Sequence, residues 1–158
     1  MADIQLPADL SAMLADYDRR IRVLETAPRL QNSSLPWAFA EINATFTTSS
    51  TVDVDSTPTA GPTVTIDVTQ TGRVLVSAGA YIGLTLTSQT AGVQLYIDGT
   101  AYTSIAGLSN ASSQIAANVF SSRVITGLTQ GPHTFVLKYR STGGNVNFSS
   151  RSIIVQPF

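Results

Sequence analysis

Val93 to Ile105 reads VQLYIDGTAYTSI, and how this stretch is read decides the fold. Val93, Leu95 and Ile97 alternate with other residues up to Asp98-Gly99, and alternation resumes through Ala101, Thr103 and Ile105. Asp-Gly between two alternating runs is the strongest short-range hairpin signal, because a two-residue turn matching strand twist needs positive φ at both central positions. Side chains change face at every strand residue, so Tyr96 and Tyr102 are expected on the face opposite Leu95 and Ile97.

The same period continues on both sides. Ala40, Ile42, Ala44 and Phe46 share one face of a first strand, and Val64, Ile66 and Val68 share one face of TVTIDVT. Val74 and Val76 begin another strand, and Ile82, Leu84 and Leu86 alternate in YIGLTLTS. Further strands are expected from Gln114 to Thr126, in HTFVLKYR with Phe135, Leu137 and Tyr139 inward, and in VNFSS and SIIVQPF. Turns are marked by Thr57-Pro58, Gly61-Pro62, Thr71-Gly72, Gly131-Pro132 and Gly143-Gly144. Roughly eight to ten short strands with regular turns predict a mainly β head over 37–158, an antiparallel β-sandwich of jelly-roll type.

Before this head the pattern changes. Leu10, Leu14, Tyr17, Ile21 and Leu24 recur at alternating steps of four and three, which predicts a helix within 1–30 carrying a heptad seam. Pro28 ends it, and a linker over 31–36 follows. A lone helix of this length is marginal in water, and so narrow a stripe suits a coiled-coil seam better than a globular surface. Arg20 falls at g and Glu25 at the following e, so a neighbour's carboxylate comes within reach of the guanidinium in a parallel bundle. The expectation is a parallel homotrimer held by Leu10, Leu14, Tyr17, Arg20, Ile21, Leu24 and Glu25.

Composition excludes several functions. The 158 residues carry a formal net charge of -1, and 12% are charged against 43% hydrophobic, so charge gives no basis for nucleic-acid binding. Without cysteine there is neither a disulfide framework nor a thiolate metal site. No apolar stretch is long enough for membrane insertion, and MADIQLPADL does not read as a signal peptide. Sequons at Asn32, Asn43, Asn110 and Asn147 are expected to carry no glycosylation message.

The inventory for chemistry is thin. His133 stands alone after a Gly-Pro turn and reads as a turn residue. Asp53 and Asp55 in TVDVDST have the spacing of paired carboxylates on one strand face, yet nothing nearby supplies further ligands. No nucleophile elbow, zinc pattern or phosphate loop is present, so no enzyme, cofactor or metal is expected. Tyr96 and Tyr102, with Asn, Gln and Ser nearby, are candidates to stack on a sugar or to lie between protomers.

The stretch YDRRIRVLETAPRLQNSSL, Tyr17 to Leu35, followed by a Thr/Ser/Val-rich β-domain, resembles the minor tail or fibre-like virion proteins of tailed bacteriophages of actinobacteria. The resemblance implies a homotrimeric particle component, assembled in the bacterial cytoplasm, joined to other virion proteins through its N-terminal region and contacting host-surface glycan. The head is also broadly similar to the trimeric jelly rolls of the C1q and tumour necrosis factor group. Capsid decoration or a head fibre, and a carbohydrate-binding module of a bacterial surface system, are the alternatives.

Overall fold

The structure, a computed structural model, describes Met13, Asp16, Tyr17, Arg19 and residues 37–55 and 60–158. The chain divides into two units, Met1–Ser33 and Ser34–Phe158. In the first, the four described residues have helical backbone, and Arg19 donates to Asp16 at 3.3 Å on an exposed surface. Tyr17 is exposed, while Leu10, Leu14, Arg20, Ile21, Leu24, Glu25 and the linker over 31–36 lie outside the described residues.

The second unit contains nine described strands: β1 (Ala38–Ile42), β2 (Phe46–Thr48), β3 (Thr63–Val68), β4 (Val74–Leu84), β5 (Thr90–Ile97), β6 (Thr100–Ser109), β7 (Ile115–Ile125), β8 (Gly131–Thr142) and β9 (Val146–Pro157). One sheet runs β1-β9-β4-β7, with β2 also on β9; the other runs β3-β8-β5-β6. Every pairing is antiparallel. With β1 and β2 counted as halves of one interrupted strand, this is the strand order of an eight-stranded jelly roll.

Inward residues of the two sheets meet in a single core. Val64, Ile66 and Val68 of β3, Val74, Val76 and Ile82 of β4, Val93, Leu95 and Ile97 of β5, and Phe135 and Leu137 of β8 are all buried there. Phe46, Tyr139 and Phe148 form an aromatic cluster with centroids 4.9 to 6.3 Å apart and tilted rings, an arrangement that adds about 0.5–1.5 kcal/mol per pair beyond burial.

The structure departs from strict alternation where backbone geometry overrides it. Ala44 lies in the exposed break between β1 and β2, not on the strand face expected of it. Leu86 lies beyond β4 and is exposed, because the chain turns there under side-chain control. Buried Gln89 accepts from Leu86 N at 2.8 Å and donates to Asn145 O at 3.0 Å; Asn110 Oδ1 accepts from Gln89 N at 2.7 Å, and Asn110 Nδ2 donates to Leu86 O at 2.8 Å. Two amide side chains thereby tie together the three connections at one end of the sandwich.

VNFSS and SIIVQPF form one strand, β9, containing a bulge. Its pairing with β4 slips between Gly79 and Tyr81, and Ser150 has φ of 45°. The extra residue turns Arg151 inward. Arg151 is 1% exposed, and its Nη2 donates to Ala44 O at 3.1 Å. A buried cation without a counter-charge costs several kcal/mol, more than one carbonyl bond of about 1.5–3 kcal/mol returns.

Candidate functional site

The turn at the opening stretch is as the sequence predicts. Asp98 and Gly99 have φ of 52° and 79°, and Ile97 faces Thr100 across them. Beyond the turn β6 contains two bulges: Val93 pairs Ala106 but Gln94 pairs Ser104, and Leu95 pairs Thr103 but Tyr96 pairs Ala101. Ile105 and Tyr102 are the unpaired extra residues. Ala101 therefore does not share a face with Ile105; it is exposed, and Ile105 is buried.

The bulges separate the two candidate tyrosines. Tyr96 stands on the outer face of the β3-β8-β5-β6 sheet, where its hydroxyl donates to Asp53 Oδ2 at 2.9 Å and Lys138 Nζ lies 4.6 Å from its ring centre. Lys138 also reaches Asp55 at 3.5 Å, and Arg140 Nε lies 4.0 Å from Asp53 Oδ1. Each aspartate is thus matched with a cation on β8. The hydrogen bond to Asp53 raises the Tyr96 pKa, with burial acting the same way. Its hydroxyl and one ring face are committed within the chain.

Tyr102 is 51% exposed and lies with Thr103, Arg123 and Val124 along a groove of about 490 Å³. β6 and β7 are edge strands of different sheets, so this groove runs along the open side of the sandwich. It combines one aromatic ring, one guanidinium and a hydroxyl, which is the chemistry needed to stack on and hydrogen-bond a polar ring.

A larger surface is the outer face of the β1-β9-β4-β7 sheet. Strand register aligns Phe39 with Ile154, Leu75 with Val124, Gly79 with Phe120, and Tyr81 with Asn118. Phe39, Tyr81, Phe120, Val124 and Ile154 are all exposed, Phe120 by 61%. Gly79 makes room for the aromatic ring: a methyl there would collide with Val119 O and lie 2.8 Å from the Phe120 ring. Two phenylalanines, a tyrosine and two branched aliphatics on one sheet face form an apolar patch of the kind that marks interaction sites. β7 is an eleven-residue edge strand with one charged residue, Arg123, so little on it discourages pairing.

Sequence reasoning missed the partner of His133. Its Nδ1 lies 2.6 Å from Asp98 Oδ2 and its Nε2 lies 2.9 Å from Thr129 O, while Asp98 Oδ1 accepts from Thr134 N at 2.8 Å. The doubly protonated imidazolium donates to Asp98 and to Thr129 O at once, while Nε2 also lies 3.2 Å from Thr129 Oγ1, a hydroxyl that can donate to the neutral ring. The Asp98 bond accordingly raises the His133 pKa, with burial opposing, and Asp98 is lowered first by the Thr134 N–H and then by His133. No local sequence signal marks the pair, because it depends on the antiparallel register of β5 and β8, which sets Ile97 opposite Phe135. Among the described residues there is no group of three or more His, Asp or Glu able to hold a metal ion, and no helix long and apolar enough to cross a membrane.

No family model matches the chain, and no curated protein matches it in sequence. Solved structures match it in shape. The chain of T=1 particles derived from infectious bursal virus superposes with TM-score 0.56 at 13% identity, over 77% of this chain and 31% of that one. The infectious bursal disease virus VP2 subviral particle gives TM-score 0.56 and 13% identity, with 77% and 32% covered. The likeness is one of fold. This chain spans about a third of the length of those viral chains. The Eiger TNF of S. frugiperda is a further match, at TM-score 0.48 and 14% identity over 78% of this chain and 93% of that one.

Proposed function

We propose that this chain is a homotrimeric structural protein of a virion, a tail or fibre-like spike of an actinobacterial tailed phage, assembled in the host cytoplasm. The observation that carries the reading is the exposed apolar face formed by Phe39, Tyr81, Phe120, Val124 and Ile154. A single-chain protein gains nothing from holding these side chains in water, whereas covering the exposed half of each against a second copy contributes about 1 kcal/mol apiece. The heptad seam from Leu10 to Leu24 gives the copies a parallel arrangement, with three favoured, and leaves the N-terminal region to engage other virion proteins. The viral-particle fold of the head agrees with this role, and equally with capsid decoration. The reading assigns no catalysis, since Asp53 and Asp55 are each matched to a cation or hydroxyl.

The test is the mass of the full chain in solution by light scattering. A trimer that dissociates when Ile21 and Leu24 are made polar supports the proposal; a monomer at micromolar concentration overturns it.

A second reading is favoured by the Tyr102 groove: the head binds host-surface glycan, weakly per site and more strongly when tripled. Glycan-array binding lost in Tyr102→Ala but kept in Tyr96→Phe is the expected result, and equal binding by both variants removes it.

A further inference from the structure

Arg151 is the one charged side chain among the described residues that is buried, and its surroundings do not neutralise it. Its guanidinium carbon lies 5.7 Å from the Phe46 ring centre and 5.4 Å from that of Tyr139, so two aromatic faces stand against it. Rings attract a cation through their quadrupoles but do not accept its N–H groups in good geometry. The bond from Nη2 to Ala44 O satisfies one donor. Nε and Nη1 are buried and make no well-aligned hydrogen bond among the described residues, and neither does the Tyr139 hydroxyl, which is their nearest polar neighbour. No described carboxylate pairs with Arg151, although Asp16, Asp53, Asp55 and Asp98 are all in ion pairs elsewhere.

Three facts therefore coincide in one place: an uncompensated positive charge, unused guanidinium N–H donors, and a hydroxyl able to donate beside them. Burial raises the Tyr139 pKa, and the Arg151 charge and a hydrogen bond from Arg151 to the phenol oxygen act against that rise, so the hydroxyl stays protonated with its own hydrogen free to donate. A water molecule would take up a hydrogen bond and leave the charge as it was. A carboxylate on another macromolecule cannot reach atoms that have no exposed surface.

We infer that Arg151 and Tyr139 bind one small monovalent anion of the chloride class inside the sandwich, held by guanidinium N–H groups and the tyrosine hydroxyl. The bulge at Ser150 is what brings the cation to this position. The break at 43–45, exposed and without strand pairing, covers the guanidinium through Ala44 O. The anion would act as a structural counter-ion between β8 and β9, independent of the oligomeric state proposed above.

The experiment compares thermal unfolding of the full chain in sodium chloride, bromide and gluconate at equal ionic strength and fixed protein concentration. A saturable rise in Tm with chloride or bromide over gluconate is expected, because a ligand of the folded state alone stabilises by mass action. Arg151→Met, which keeps the volume without the charge, should abolish that rise. Tyr139→Phe should weaken the apparent halide affinity about ten-fold. Equal Tm in the three salts, or the same halide response in Arg151→Met, overturns the inference. Crystals of the unaltered protein in bromide give a readout that does not depend on variants folding: an anomalous peak beside Arg151 and Tyr139 supports the site, and its absence there refutes it.

Discussion

His133 and Asp98 meet at 2.6 Å although 35 positions separate them, joining the start of β8 to the turn between β5 and β6. Because the second imidazole nitrogen contacts Thr129 O at 2.9 Å, one protonated ring ties down two connections at the same end of the sandwich.

That tie makes stability depend on pH with a definite sign. His133 is raised above its ordinary 6.5, so its contribution is complete below about that pH and is lost as pH rises through the folded value. Asp98 is lowered below its ordinary 3.8, so its contribution is present above that pH and is lost as pH falls through the folded value. Both act together between these limits. Tm is expected to fall as pH rises above about 6.5, and His133→Gln should flatten that limb in a calorimetric titration.

At one end of the sandwich, Asn110→Ala should lower unfolding free energy by about 1–3 kcal/mol, because Leu86 O and Gln89 N both lose their partner. Urea denaturation at constant m-value measures it. Surface asparagines such as Asn43 should give almost no change.

Gly79→Ala should destabilise by about 1–3 kcal/mol, since the added methyl meets Val119 O and the Phe120 ring within a paired strand. Restoring room with Phe120→Ser should recover only the part due to the ring, and the carbonyl contact should keep the rest.

Phe120→Asp and Val124→Asp should leave the far-ultraviolet circular dichroism spectrum unchanged, because both side chains face outward. They should weaken self-association at least ten-fold, read by sedimentation equilibrium. Dissociation constants unchanged by both would place the contact between copies elsewhere.

The β-sandwich was legible from period two and turn chemistry, because Val64, Ile66 and Val68, or Phe135, Leu137 and Tyr139, follow an unbroken pleat. What escaped was every position where an extra residue shifts the phase. Tyr102 and Arg151 each occupy a bulge, and a one-residue insertion reverses the face that alternation assigns. For the same reason the site reading was partial: the tyrosines were identified, but which one is committed to Asp53 and which borders a groove depends on the bulges between them. The His133–Asp98 pair depends on register between distant strands and has no local signature.

β9 runs between β1 and β4, so β1 has no neighbour on its sheet until about a hundred further residues have been made. Synthesis therefore exposes Ala38–Ile42 and Val74–Leu84 as unpaired β-segments for seconds, at elongation rates of about 5–20 residues per second. Strand pairs this distant in sequence predict slow folding, and yield on expression should respond to chaperone supply and temperature more strongly than equilibrium stability does.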